Sequence, residues 1–157
     1  MGTSDTDFGE LSARGLRCAV VVARYNARYV NQLLAGAEAA WRRHGGDPAD
    51  LRIERVPGAF ELPLAARAFA LSGKVDAVVA LGCVIRGDTA HFDYVAGECA
   101  RGLQRVMLDT GVPVSFGVLT VDSRAQALER AGPDALNKGR EALETALAMV
   151  GLLRRLA

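Results

Sequence analysis

Val75-Asp76-Ala77-Val78-Val79-Ala80-Leu81-Gly82-Cys83-Val84-Ile85-Arg86-Gly87-Asp88-Thr89-Ala90-His91-Phe92-Asp93-Tyr94 is the stretch on which the fold turns. Its largely apolar opening, Val75 to Leu81, reads as a strand of a parallel sheet. The run ends at Gly82, passes Gly87 and opens into a segment of helical periodicity. Asp88 is placed to cap that helix. His91, one of only two histidines in the chain, falls in its first turn. The amides after Gly87, the Thr89 hydroxyl and the helix dipole can together hold an anion. An imidazole in the same place can move a proton.

The same punctuation recurs on either side. Upstream, Cys18 to Ala23 is a short apolar strand ended by Arg24-Tyr25-Asn26. The positions Val30, Leu33, Leu34, Ala37 and Trp41 then recur at helical spacing from Arg28 to His44, before Gly45-Gly46. Leu51 to Val56 alternates as a second strand closed by Pro57-Gly58. Phe60 to Leu71 is a helix, with Leu62, Leu64, Ala65, Phe69 and Ala70 expected in the core. Downstream, Phe92, Val95, Cys99, Leu103, Val106 and Met107 form an apolar stripe that ends at Gly111. Val112 to Val118 is the fourth strand. A short helix follows over Ser123 to Arg130, then a break at Gly132-Pro133, then a last helix over Gly139 to Leu153.

Strands joined by helical crossovers pair in parallel, with helices on both faces. The expectation is an α/β, flavodoxin-like three-layer sandwich on a four-stranded parallel sheet. Residues 1–15 read as a flexible tail and 16–157 as a single domain, a size that buries a real core.

Composition narrows the function. With 19 Lys and Arg against 18 Asp and Glu the formal net charge is +1, which gives no electrostatic footprint for nucleic acid or a membrane surface. The polar N-terminus lacks an apolar signal segment, so a cytoplasmic location is expected. Three cysteines in no paired spacing read as buried and reduced, and neither histidine has a cysteine pair beside it, so no metal is expected. His44 reads as an exposed residue at a helix end.

In an open parallel sheet, ligands bind beyond the carboxyl ends of the strands. That rule selects Arg24 to Asn26, Gly58 to Glu61, Gly82 to His91 and Ser115 to Gly117. Tyr25 and Phe60 can stack on a flat heteroaromatic ligand while Glu61 and backbone amides read its edge. Each also has a plain structural role open to it: core aromatics, a first-turn acid favoured by the helix dipole, a capping Asp88. Arg86 and Arg130 are the cations available to an anion. From residues alone, the chain is an α/β enzyme for a phosphorylated or heteroaromatic small molecule, with His91 as acid and base.

Val56-Pro57-Gly58-Ala59-Phe60-Glu61-Leu62-Pro63, the stretch from Gly82 to Tyr94, Glu129-Arg130-Ala131-Gly132 and Asn137-Lys138-Gly139 resemble the lumazine synthase family, from about Arg17 to the C-terminus. The resemblance implies condensation of 5-amino-6-(D-ribitylamino)uracil with 3,4-dihydroxy-2-butanone 4-phosphate, releasing phosphate and water in riboflavin biosynthesis, without metal or organic cofactor. It implies that His91 shuttles protons and that Tyr25, where the family has Phe or Trp, stacks on the pyrimidine. Asn26, Ala59, Phe60, Glu61 and the backbone of Cys83, Val84 and Ile85 would bind the ring and ribityl chain. Asp88 and Thr89 would form the phosphate turn. Phe116, Lys138 and Arg130 would come from a neighbouring subunit, with Arg130 on the phosphate in preference to Arg86. Pentamers are implied, with an icosahedral shell of twelve pentamers as a further assembly and riboflavin synthase as a partner. The rival class is a non-catalytic lumazine- or flavin-binding protein of the same fold. A response-regulator reading needs an acidic cluster where Arg24-Tyr25-Asn26 stands, and fails.

Overall fold

The structure, a computed structural model, describes residues 7–133 and 136–157. Strands β1 (Cys18–Ala23), β2 (Leu51–Val56), β3 (Ala77–Ile85) and β4 (Val114–Val121) form one all-parallel sheet in the order β2-β1-β3-β4. Between and after them lie α1 (Ala27–Arg43), α2 (Leu62–Leu71), α3 (His91–Thr110), α4 (Arg124–Ala131) and α5 (Lys138–Leu156), with 3-10 turns at Pro48–Asp50 and Ala59–Glu61. This is the flavodoxin-like α/β sandwich expected from the alternation.

The central strands β1 and β3 are apolar because each face meets its own helical layer, whereas the edge strand β2 carries Arg52, Glu54 and Arg55 at exposed positions. Val20, Val22, Val79 and Leu81 pack with Leu33, Trp41 and Leu143 of α1 and α5, a layer that α4 joins through Ala127 and Ala131. Val21, Ala23, Val78 and Ala80 pack on the other side with Leu62, Ala66, Cys99 and Leu103 of α2 and α3. The expected stripe of α1 is buried at all five positions. Gly45 ends that helix at φ +84, while a Cβ on Gly46 would collide with the Trp41 indole. No helix among the described residues is long and apolar enough to cross a membrane.

Several expectations need correction. β3 runs through Gly82 to Ile85, so Gly82 is a packing position inside the strand and not a turn. A Cβ there would sit 3.3 Å from Leu62 Cδ1 and 3.5 Å from both Ala23 Cβ and Val118 Cγ1. The turn proper is residues 86–90. α3 starts at His91 itself, and Asp88 does not cap it: the N-cap position is Ala90, and Thr89 Oγ1 accepts the His91 N–H at 3.3 Å. α2 starts at Leu62, which turns Leu64 outward, 73% exposed, and buries Ala66. β4 extends to Val121, three residues past its expected end.

His44 is not an exposed helix end. Its Nε2 lies 3.0 Å from Glu144 Oε1 on α5, and both side chains are largely covered. Arg140 Nε donates to the same oxygen at 3.2 Å. Within the expected tail, Ala13 is fully buried and its N–H donates to the His44 carbonyl at 2.9 Å. The turn from Gly132 to Gly139 falls partly outside the described residues, at Asp134 and Ala135.

Candidate functional site

The strand order reverses between β1, whose crossover leads to β2, and β3, whose crossover leads to β4. The crevice between their carboxyl ends is where an open α/β sheet binds ligands. Asn26 spans that crevice. It is the one non-glycine among the described residues with positive φ (φ 60), a conformation that Asn tolerates better than most residues. From there its Nδ2 donates to the Cys83 carbonyl at 2.8 Å.

The loop after β2 is fastened to the loop after β1. Arg24 N–H donates to the Val56 and Pro57 carbonyls at 2.9 and 3.2 Å, and Tyr25 N–H to Pro57 O at 3.2 Å. Glu61 folds back so that Oε2 accepts the Gly58 N–H at 3.0 Å. Gly58 is required by close approach: a Cβ there would lie 2.9 Å from Tyr25 Cδ2 and 3.3 Å from Glu61 Oε2. The Tyr25 ring and the Glu61 carboxylate therefore flank one small backbone position. Tyr25 and Phe60 are exposed, at 72% and 58%, while Ala59 and Cys83 are buried. Two open aromatic faces beside a carboxylate and strand-end carbonyls suit a flat ligand with polar edges.

Beyond β3 the chain turns through Asp88 and Thr89 into α3. Among the described residues, no hydrogen bond occupies the N–H groups of Gly87, Asp88 and Thr89, which with the α3 dipole can receive an anion. His91 is exposed at the first position of α3. Cys83 contributes backbone only, since burial pushes its thiol up to about 11 and keeps it protonated. Tyr25, Asn26, Ala59, Phe60, Glu61, Cys83, Val84, Ile85, Asp88, Thr89 and His91 thus belong to the loops and strand ends around one switch point.

Phe116, Arg130 and Lys138 do not. Phe116 is opposite Ala80, in the middle of the β3–β4 ladder. It lies five residues before the end of β4, about 16 Å from the carboxyl edge at ~3.3 Å per residue. The expectation that Ser115 to Gly117 sits at a strand end is therefore corrected. β4 is an edge strand, and Phe116 lines an open groove of about 460 Å³ along it with Gln126, Arg130, Lys138, Glu141 and Thr145. Arg130 Nη1 donates to Gln126 O at 3.1 Å, and Lys138 Nζ to Glu141 Oε2 at 2.8 Å. The three residues share a surface, and it is not that of the first cluster.

Arg86, the first cation one would assign to the anion, is engaged elsewhere. Its Nε donates to Asp122 Oδ1 at 3.0 Å and its Nη1 to Asp93 Oδ1 at 3.2 Å. The hydrogen bond to Asp122 is the largest cause holding its pKa above the ordinary value. Asp122 is the one member of this arrangement that sequence reading missed altogether. The family model for 6,7-dimethyl-8-ribityllumazine synthase matches residues 15–154.

Proposed function

The chain belongs to the lumazine synthase family, and from that premise we propose that it catalyses the family reaction itself. It condenses 5-amino-6-(D-ribitylamino)uracil with 3,4-dihydroxy-2-butanone 4-phosphate to 6,7-dimethyl-8-ribityllumazine, releasing phosphate and water. The observation that carries the reading is the Asn26-to-Cys83 bond, which draws the aromatic and carboxylate cluster of β1 and β2 beside the anion turn that follows β3.

The pyrimidine stacks on Tyr25, with Phe60 closing the pocket and Glu61 and the strand-end backbone of Cys83, Val84 and Ile85 at its polar edge. The phosphate of the second substrate rests on the amides of the 87–89 turn, with the Thr89 hydroxyl as a further donor. His91 lies between the two subsites. Joining an amine to a carbonyl and expelling phosphate both require protons to be moved, and an imidazole can take and give them.

The turn carries Asp88, and Arg86 is matched by Asp93 and Asp122; the family resemblance implies that the cation on the phosphate is Arg130 of a neighbouring subunit. A second copy of the chain, presenting Phe116, Arg130 and Lys138 from its β4 edge, completes the site. Active sites then lie between copies in a closed ring, which the family resemblance implies is a pentamer. Whether rings go on to form a shell is read by light scattering or electron microscopy.

The direct test mixes purified protein with the two substrates and follows the fluorescent lumazine. Product formation above the slow uncatalysed rate is expected. Tight lumazine binding without turnover would leave the non-catalytic binding protein as the correct reading.

A further inference from the structure

The turn that the proposed reaction depends on is thinly held. Residues 86–90 are all exposed, and a Cβ at Gly87 would meet nothing within 4 Å. The backbone is fixed at its margins only, by Arg86 N–H on Val121 O at 2.9 Å and Asp93 N–H on Ala90 O at 3.0 Å. Between them, Thr89 Oγ1 accepts the His91 N–H at 3.3 Å. Phosphate-binding amides nevertheless have to converge on one point before the ligand arrives, because ordering them on binding weakens the affinity.

The Arg86 side chain supplies the missing restraint. It leaves the chain just before the turn and returns to it just after. Its guanidinium lies 4.1 Å from the Phe92 ring centroid and donates to Asp93 at 3.2 Å, while Nε reaches across to Asp122 beyond β4 at 3.0 Å. One planar group therefore ties the end of β3, the first turn of α3 and the end of β4 together, with residues 87–91 as the loop so closed. Only arginine has the fork to serve two carboxylates while stacking on a ring.

The pairs are exposed, with 45% of the Arg86 side chain open to solvent, so they add little to global stability. Their effect is on the turn. A binding-competent conformation that falls from fully to fractionally populated lowers apparent affinity by that fraction.

Resting on the reaction proposed above, we infer that Arg86 is a positioning residue. It clamps both ends of the 87–91 turn and so presets Thr89 and His91 for the phosphorylated substrate, without contacting that substrate. The specificity of the effect follows. Removing the clamp impairs use of the four-carbon phosphate and spares the pyrimidine, which is held by Tyr25, Phe60 and Glu61 on the other side of the crevice.

Three variants test it in the full-length protein: Arg86→Met, which keeps the stem over Phe92 and loses the fork; Arg86→Lys; and Asp122→Asn, which removes one anchor from outside the turn. Hydrogen exchange by mass spectrometry is read over the peptide containing residues 86–93, whose hydrogen-bonded amides are those of Arg86, His91 and Asp93 at the two clamped ends, with and without inorganic phosphate. Steady-state kinetics follow. Arg86→Met is expected to speed exchange there about tenfold and to raise KM for the phosphorylated substrate about three- to tenfold, with pyrimidine affinity within about twofold of wild type. Asp122→Asn is expected to do the same more weakly. The double variant should be no worse than Arg86→Met, because both remove one interaction.

Unchanged exchange in Arg86→Met and Asp122→Asn overturns the clamp, whatever the activities. So does an Arg86→Lys protein indistinguishable from wild type, or an equal loss for both substrates. Faster exchange in a protein whose wild type forms no lumazine supports the clamp and removes the proposed reaction instead, so the two failures are told apart.

Discussion

The two clusters of candidate site residues are built in opposite ways. The switch-point cluster is stitched by contacts between distant segments: the Asn26 amide on the Cys83 carbonyl, the Arg24 and Tyr25 amides on the loop after β2, and Tyr25 against the bare backbone of Gly58. The β4-edge cluster makes its polar contacts within one turn of its own helix, Arg130 with Gln126 and Lys138 with Glu141. The first is a crevice tied across the ends of β1, β2 and β3. The second is a set of side chains along an open groove on β4, in which Phe116 lies about 16 Å short of the carboxyl edge. The first holds open backbone amides beside an arginine, Arg86, that is paired with Asp93 and Asp122; the second holds Arg130 and Lys138 and no histidine.

The comparison can be strained at several points. The largest effect is expected where the β4-edge cluster meets the core. Gly139, beside Lys138, lets α5 press directly on the backbone of Leu33 in α1, where a Cβ would overlap the Leu33 carbonyl. Backbone cannot give as a side-chain tip can, so Gly139→Ala is expected to cost about 3 kcal/mol or more in urea unfolding, at or above the usual overpacking range. A cost under about 1 kcal/mol would mean that α5 slides freely and that Lys138 is not firmly seated.

Next comes the switch-point cluster itself. His91→Ala is expected to lower turnover at least about tenfold, about 1.4 kcal/mol of barrier, while lumazine affinity stays close to wild type. Unchanged turnover would take His91 out of the chemistry. The smallest effect belongs to the stitch. Asn26→Gly keeps the positive φ and loses one hydrogen bond, so about 1 kcal/mol of stability should go. Pyrimidine affinity should fall with it, as the crevice is no longer tied across. Full affinity in this variant would show that the crevice does not depend on the bond.

The sequence was informative wherever neighbours in the chain are neighbours in space. The βα punctuation gave four strands in their order, and the contiguous runs from Val56 and from Gly82 carried the switch-point residues almost complete. It misled at the start of α3: Asp88 reads as the cap, but the N-cap position is Ala90 and the His91 amide goes to Thr89 Oγ1. It was silent where the partner is far away. Nothing near His44 announces Glu144, a hundred positions on, and nothing near Arg86 announces Asp122. Phe116 was misplaced for a related reason: the apolar run from Val112 could not say where β4 ends, and Val121 rather than Val118 proved to be its last residue. That correction turns a residue expected at the crevice into one that cannot reach it from its own chain.

The central claim is that one site is shared between two copies, and mixed assemblies test it most directly. His91→Ala and Arg130→Ala chains, each impaired alone, are co-expressed and purified together. If His91 and Arg130 act across an interface, random mixing in a ring gives about a quarter of the interfaces both intact halves, and lumazine formation should recover to about a quarter of wild type. Activity no higher than the mean of the two parents would contradict the account and place both residues in the site of a single chain.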